Sequence, residues 1–341
     1  QTFSIGFSDE GFDESKYARV IAERFETNHH EFEAKAADLE ELEKAILAMG
    51  EPFADQSIIP TALVAMHTAK HVTVALSGDG GDELFGGYKR YRQLNLVHEL
   101  ENGGMLGLWK GLRRFSLGVE RTVNPRRRHI GFPNGPVDEI LSLPEPQRYL
   151  RLIGFFSPSQ MEAIWPGGPG PAEIYSDLDR LRQGPEDYLE QLFQLDLLSY
   201  LPDDILYKVD IASMLHSLEC RCPFLDHQLV ECAVKVPAQW KVDKRSGKKI
   251  LRDTFADLIP AEFFNRPKKG FSMPIGRWIR EKWAPIFADA IETGLPPDFE
   301  KAYARRLLQD HLAGRRDSSN LLWALYVLAI WNRKFDPVWE A

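Results

Sequence analysis

Cysteine is scarce in this chain. Cys220, Cys222 and Cys232 are the only three in 341 residues. Their number is odd and none forms a CxxC pair, which argues against a disulfide framework or a structural zinc site. Long apolar runs are missing too, and nothing approaches the roughly 18 residues of a transmembrane helix. The chain opens on what reads as a strand, Thr2–Phe7, rather than on a signal peptide. With the cysteine usage, this makes a reducing cytoplasm the expected compartment. Positive charge is not in excess: 42 Lys and Arg face 50 Asp and Glu, a net −8. A general nucleic-acid surface is therefore not expected. Short basic clusters at 110–114 and 126–128 read as solvated faces or intersubunit contacts. There is no GxxxxGK[ST] loop, internal repeat, heptad run or low-complexity tract. What remains is 44% hydrophobic and 27% charged, ordinary for a soluble globular chain of one large domain or two modest ones.

The most unusual stretch that is present runs LSGDGGDELFGGYKRY over residues 76–91. It follows the β-branched and aliphatic residues 71–76, which show no polar alternation. That pattern predicts a short strand buried on both faces, as in a parallel sheet. Gly78, Gly80 and Gly81 then allow a sharp turn or a close approach to a ligand. Asp79, Asp82 and Glu83 stand at the carboxyl end of the strand, where open α/β sheets place ligands. Carboxylates beside a glycine turn suit a Mg²⁺ ion shared with phosphates. The plainer alternative is a polar turn in which Asp82 caps the following helix.

Along the chain, the pattern predicts strand 2–7, helix 14–27 and a second strand at 28–33. A helix near 38–49, the loop EPFADQSIIP and a helix near 60–70 follow. This βαβα order argues for a parallel sheet with covering helices. Beyond about residue 88 the periodicity is mostly helical, broken by Gly/Pro stretches at 131–136 and 166–171. The apolar segment 321–329 reads as a buried core helix. His29 and His30 lack ligand partners at metal spacing and read as structural. Cys220 and Cys222 read as small packed hydrophobes.

The run 76–91 resembles the SGxGxDExFGGY pattern of the synthetase domain of glutamine-dependent asparagine synthetases. TFSIGF, FADQSIIPT (53–61), SLECRCPFLDH (217–227) and SGKKILRDTF (246–255) resemble further blocks of that family, in its order. The resemblance implies an α/β fold of the adenine-nucleotide alpha hydrolase-like type: a twisted parallel sheet flanked by helices, with a largely helical C-terminal part. The whole of 1–341 would then be one synthetase domain, with an α/β nucleotide-binding part over 1–90 and a mostly helical part over 91–341. The family's glutaminase domain and its SGGxDS pyrophosphate loop do not occur within these residues. The chain is accordingly expected to begin just after that loop and to be inactive by itself.

The implied reaction adenylates the side-chain carboxylate of aspartate with ATP, releasing pyrophosphate. Ammonia derived from glutamine then displaces AMP to give asparagine. By this resemblance ATP meets the backbone of Ile5 and residues Ser77 and Gly78, and Asp82 holds Mg²⁺. Lys248 neutralises phosphate charge, with Lys249 the alternative if the register slips by one. Asp79 is a further catalytic candidate, at the position where the best-known members carry a Glu linked to adenylate formation. Glu219 and Arg221 are expected to form an active-site wall or a buried structural pair, with both charges on one side of the strand and both thiols on the other. Asp226 is expected to be a turn or helix cap.

The implied partners are the small substrates and a glutaminase domain; no nucleic acid or membrane is expected, and a homodimer is left open. Two alternatives stand beside this reading. One is another adenylate-forming amidotransferase, such as a β-lactam synthetase-like ring closer or a biosynthetic-cluster enzyme. The other is a non-catalytic scaffold without a phosphate loop.

Overall fold

The computed structural model describes residues 1–7, 9, 11–34, 39–105, 107–109, 140–168, 178, 180–181, 183–244, 246–259, 263 and 273–337. The basic clusters at 110–114 and 126–128 and the Gly/Pro stretch 131–136 lie outside them.

Strand β1 (Thr2–Phe7) and strand β2 (His29–Ala34) pair in parallel, from Thr2 opposite His29 to Phe7 opposite Ala34. Helix α1 (Ser15–Arg24) makes the crossover between them. Its Arg19 meets Glu31 of β2 at 2.7 Å. The histidines of β2 serve this sheet. The two ring nitrogens of His29 bond the hydroxyls of Thr2 and Ser4 at 2.9 and 3.0 Å. His30 packs between Phe3 and His71.

Helices α2 (Leu39–Ala48) and α3 (Ile58–Thr68) follow. Pro60 sits inside the first turn of α3, where its missing N–H costs nothing. The main core joins Ile5, Ile46 and Ile59 to Trp283, Phe287 and Trp323 of the C-terminal helices. The helix Ser319–Phe335 buries most of the apolar run 321–329 there, as its composition predicts.

Strand β3 covers only Val74–Leu76, and its partner among the described residues is β4 (Glu219–Arg221). The fold is thus mixed α/β, with two small parallel sheets in the described residues. The expectation that residues 71–76 are buried on both faces is corrected: Val74 is 39% exposed and Leu76 73%. A strand with one neighbour leaves an edge and outward side chains in solvent, whatever its composition.

Between the two sheets' helices, the loop at 51–57 meets the segment Asp196–Leu206, a π-helical stretch containing Pro202. The buried Lys208 ammonium contacts Asp55 at 2.5 Å and Asp204 at 3.2 Å. Burial, reinforced by the Asp55 charge, pushes Asp204 up to about 7 despite Lys208. Asp204 therefore binds a proton between about pH 4 and 7 that it would lose on unfolding, so this contribution is full below pH 4 and is lost as pH rises through 7. A pKa gap of this size corresponds to a stability change on the order of 4 kcal/mol. Urea midpoints are expected to fall from pH 5 to pH 8, and Asp204→Asn is expected to flatten that slope. An unchanged slope in the variant would assign it to other groups.

Candidate functional site

Strands β3 and β4 end together. Leu76 pairs with Arg221, and the Ser77 N–H donates to the Arg221 carbonyl at 2.9 Å. Two parallel strands ending at one level bring Ser77 beside Cys222, 3.3 Å from hydroxyl to thiol. The same hydroxyl donates to Asp79 at 2.7 Å. Burial pushes the thiols of Cys220 and Cys222 above the ordinary value, in keeping with packed rather than reactive side chains. All three cysteines are free.

The glycine turn then packs under the segment 223–225. Gly80 has φ +85°, and a Cβ there would lie 2.3 Å from Leu225. Only glycine accommodates both constraints. Helix α4 (Gly81–Phe85) begins here, with Gly80 at the cap position. Asp82 is therefore not the N-cap; it lies one residue inside the helix. Leu84 and Phe85 enter a small core with Ala233, leaving Asp82 on the open side.

A second turn interlocks with the first. The Lys248 N–H donates to the Phe85 carbonyl at 2.9 Å, and a Cβ on Gly247 would come within 2.1 Å of the Gly86 carbonyl oxygen. Lys248 itself is in the left-handed region at φ +54° and leads into helix Lys249–Thr254. The result is an ion pair, Lys248 Nζ to Asp82 Oδ1 at 3.2 Å, with side chains 35% and 25% exposed. Lys249 points elsewhere: it meets Asp253 at 2.5 Å and lies over the Trp240 ring.

The structure thus joins Asp82 to Lys248, and Ser77 to Asp79. Gly78 stands at open space beside them. Ile5 is separate, a core residue of the β1–β2 sheet. Glu219 and Arg221 alternate with the thiols as expected, but a buried pair is not what forms. They pair with each other at 2.8 Å and are 54% and 64% exposed, because β4 turns that face outward. Asp226 caps helix His227–Val234 through the N–H of Gln228 at 3.0 Å.

Sequence reasoning passed over Gly86, Gly87 and Gly247, which let the two turns close. The doubled glycine of FGGY was the available signal. Among the described residues no cluster of three or more His, Cys, Asp or Glu is placed to hold a metal by itself. No helix among them is long and apolar enough to cross a membrane. Two cavities, of about 660 and 400 Å³, lie away from the pair. One lies against β1 and α1; the other lies between the loop at 51–55 and Tyr200.

Two loops from distant parts of the chain, meeting at a carboxylate–lysine pair, fit the family blocks that bear those residues. The asparagine synthase family profile matches residues 1–333. The chain belongs to the asparagine synthase family. A Mycobacterium tuberculosis protein, provisionally named a glutamine-hydrolysing asparagine synthetase, is 31% identical over 98% of this chain and 50% of its own length. Asparagine synthetase (glutamine-hydrolysing) 1 of Bacillus subtilis is 30% identical over 97% of this chain and 52% of its own. The chain spans about half the length of these relatives.

Proposed function

We propose that this chain supplies the adenylating site of an ATP-dependent, asparagine synthetase-type amide ligase. The observation that carries this reading is the Asp82–Lys248 pair, set on glycine turns at the carboxyl end of parallel strands. Ser77 and Gly78 line the nucleotide, and the backbone of Ile5 faces the adenine. The sheet belongs to a twisted parallel array of the adenine-nucleotide alpha hydrolase type, and the chain acts as one synthetase domain. The acceptor carboxylate, taken as that of aspartate, attacks the α-phosphate of ATP; pyrophosphate leaves, and ammonia derived from glutamine then displaces AMP.

Lys248 meets the negative charge that builds on the phosphates. A compact ammonium held in place before reaction stabilises that charge without reorganisation. Asp82 offers one partly open carboxylate, a donor suited to Mg²⁺ that completes its shell with phosphate oxygens and water. Mg²⁺, when bound, supplies charge neutralisation on those phosphates. Glu219 and Arg221, being exposed, act at the rim toward the acceptor or a partner domain. Asp79, one methylene shorter than Glu and held by Ser77, favours a second reading in which the acceptor differs from aspartate.

Acceptor-dependent exchange of labelled pyrophosphate into ATP tests the reaction class. Exchange is expected only with a carboxylate acceptor, aspartate first among a panel. Residues 1–341 contain no SGGxDS stretch, so this polypeptide alone is expected to exchange negligibly, for want of oriented phosphates. Supplying a segment with that loop should restore exchange. Robust exchange by residues 1–341 alone would show that the phosphate site is built from other residues, and ATP cleavage indifferent to any carboxylate would overturn the reading.

A further inference from the structure

The two adjacent acids of the Asp82-Glu83 pair face opposite ways. Asp82 opens toward Lys248, whereas Glu83 is 1% exposed and takes the Tyr88 hydroxyl at 2.5 Å. That hydrogen bond closes a ring of structure. Tyr88 follows the Gly86-Gly87 turn, and the Gly87 N–H donates to the Asp82 carbonyl at 2.8 Å. Helix α4 has only five residues, too few to hold its shape by its own hydrogen bonds. Its geometry is therefore set by what its side chains grip.

The grip continues inward. The Arg90 guanidinium lies 3.8 Å from the Tyr88 ring centre and 4.4 Å from that of Tyr200, a cation in the corner formed by two perpendicular rings. Arg90 meets the fully buried Asp196 at 2.6 Å, and Asp196 also accepts the hydroxyls of Tyr91 and Tyr149. Arg90 and Tyr91 belong to helix α5 (Lys89–Asn102), and Asp196 opens the π-helical segment. The turn that carries Asp82 is thus moored to helix α5 and to the π-helical segment.

We propose that Glu83 and Tyr88 are positioning residues for the adenylating site. Their hydrogen bond, braced by Arg90 and Asp196, fixes the turn that presents Asp82 to Lys248. This rests on the proposed function for its meaning in turnover, but the mooring itself can be measured without turnover.

The variants are Tyr88→Phe, which keeps the ring against Arg90 and removes the hydroxyl, Glu83→Gln, which keeps an acceptor oxygen, and Glu83→Leu, which does not. In the polypeptide supplied with an SGGxDS-bearing segment, Tyr88→Phe and Glu83→Leu are expected to lower the exchange kcat by roughly 10-fold or more, by misplacing Asp82. KM for ATP should change far less, and Glu83→Gln should restore most of the rate. The second readout is the rate at which Lys248, relative to Lys249, is reductively methylated in the nucleotide-free protein. It is expected to rise in Tyr88→Phe and Glu83→Leu and to stay native in Glu83→Gln. Native labelling in Tyr88→Phe and Glu83→Leu would overturn the mooring. Glu83→Gln as damaging as Glu83→Leu would overturn it too, since an acceptor oxygen would then not suffice. Altered labelling, with no exchange by the unsubstituted polypeptide even when it carries the SGGxDS-bearing segment, would sink the adenylation reading and leave the mooring intact.

Discussion

Replacing Lys248 by alanine, in the polypeptide supplied with an SGGxDS-bearing segment, is expected to lower ATP–pyrophosphate exchange by about 10²–10³-fold, as losing one preorganised charge-stabilising contact does. ATP affinity should change much less, because the contact strengthens as charge moves onto the leaving pyrophosphate. Lys249→Ala is the internal comparison. Its ammonium bonds Asp253 at 2.5 Å on the exposed side of its helix, so that variant should stay close to native. Lys248→Arg should not rescue. The lysine stem runs past Gly87, where even a Cβ would stand 2.6 Å from Lys248 Cε, and a planar guanidinium needs more room. A crippled Lys249→Ala beside an almost silent Lys248→Ala would show that the wrong lysine has been assigned.

A methyl group at Gly87 is expected to be nearly as damaging as losing the lysine. A Cβ there would fall 1.7 Å from Asp82 Oδ1, so the carboxylate must move. What moves are two side-chain ends, and Gly87 is not among the positive-φ glycines, so the fold should tolerate the change. Exchange should drop about 10²-fold, the scale of a misplaced reacting group. Tm should shift by only about 2–4 °C. Gly247→Ala is the contrasting case. Its Cβ would meet the Gly86 carbonyl oxygen at 2.1 Å, where backbone and not a side-chain tip must give way. That variant should lose stability together with activity, visible as a lowered urea midpoint. Native exchange in Gly87→Ala would mean that Asp82 need not sit against Lys248 at all.

Local patterns carried much of the architecture. Strands 2–7 and 29–34, the helices between and after them, and the buried helix at 319–335 each follow from their own residues' periodicity. Backbone hydrogen bonding and side-chain alternation act over a few residues, so such elements are legible without the fold. The motif resemblance likewise named Asp82 and Lys248 while they were far apart in the chain, and the structure brings them into contact. It also favoured Lys248 over Lys249, whose side chains take opposite directions at the helix start.

Other properties depended on what lies across space. An apolar run at 71–76 looks the same whether two neighbours cover it or one, and among the described residues one does. Glu219 and Arg221 lie in a recognised block, yet which face of β4 is covered leaves them paired in solvent. Asp82 and Glu83 have the same charge and adjoining positions. Only the packing of Tyr88 on Arg90, and of Arg90 on Asp196, turns one carboxylate inward and leaves the other at the lysine. The sequence by itself determined most of the elements, the family and the two charged residues proposed for the site, because those depend on local chemistry and motif. Which backbone approaches were close enough to demand Gly80, Gly87 and Gly247, and which acid faced Lys248, was decided by tertiary contacts, because burial and steric exclusion are properties of neighbours that sequence order does not place together.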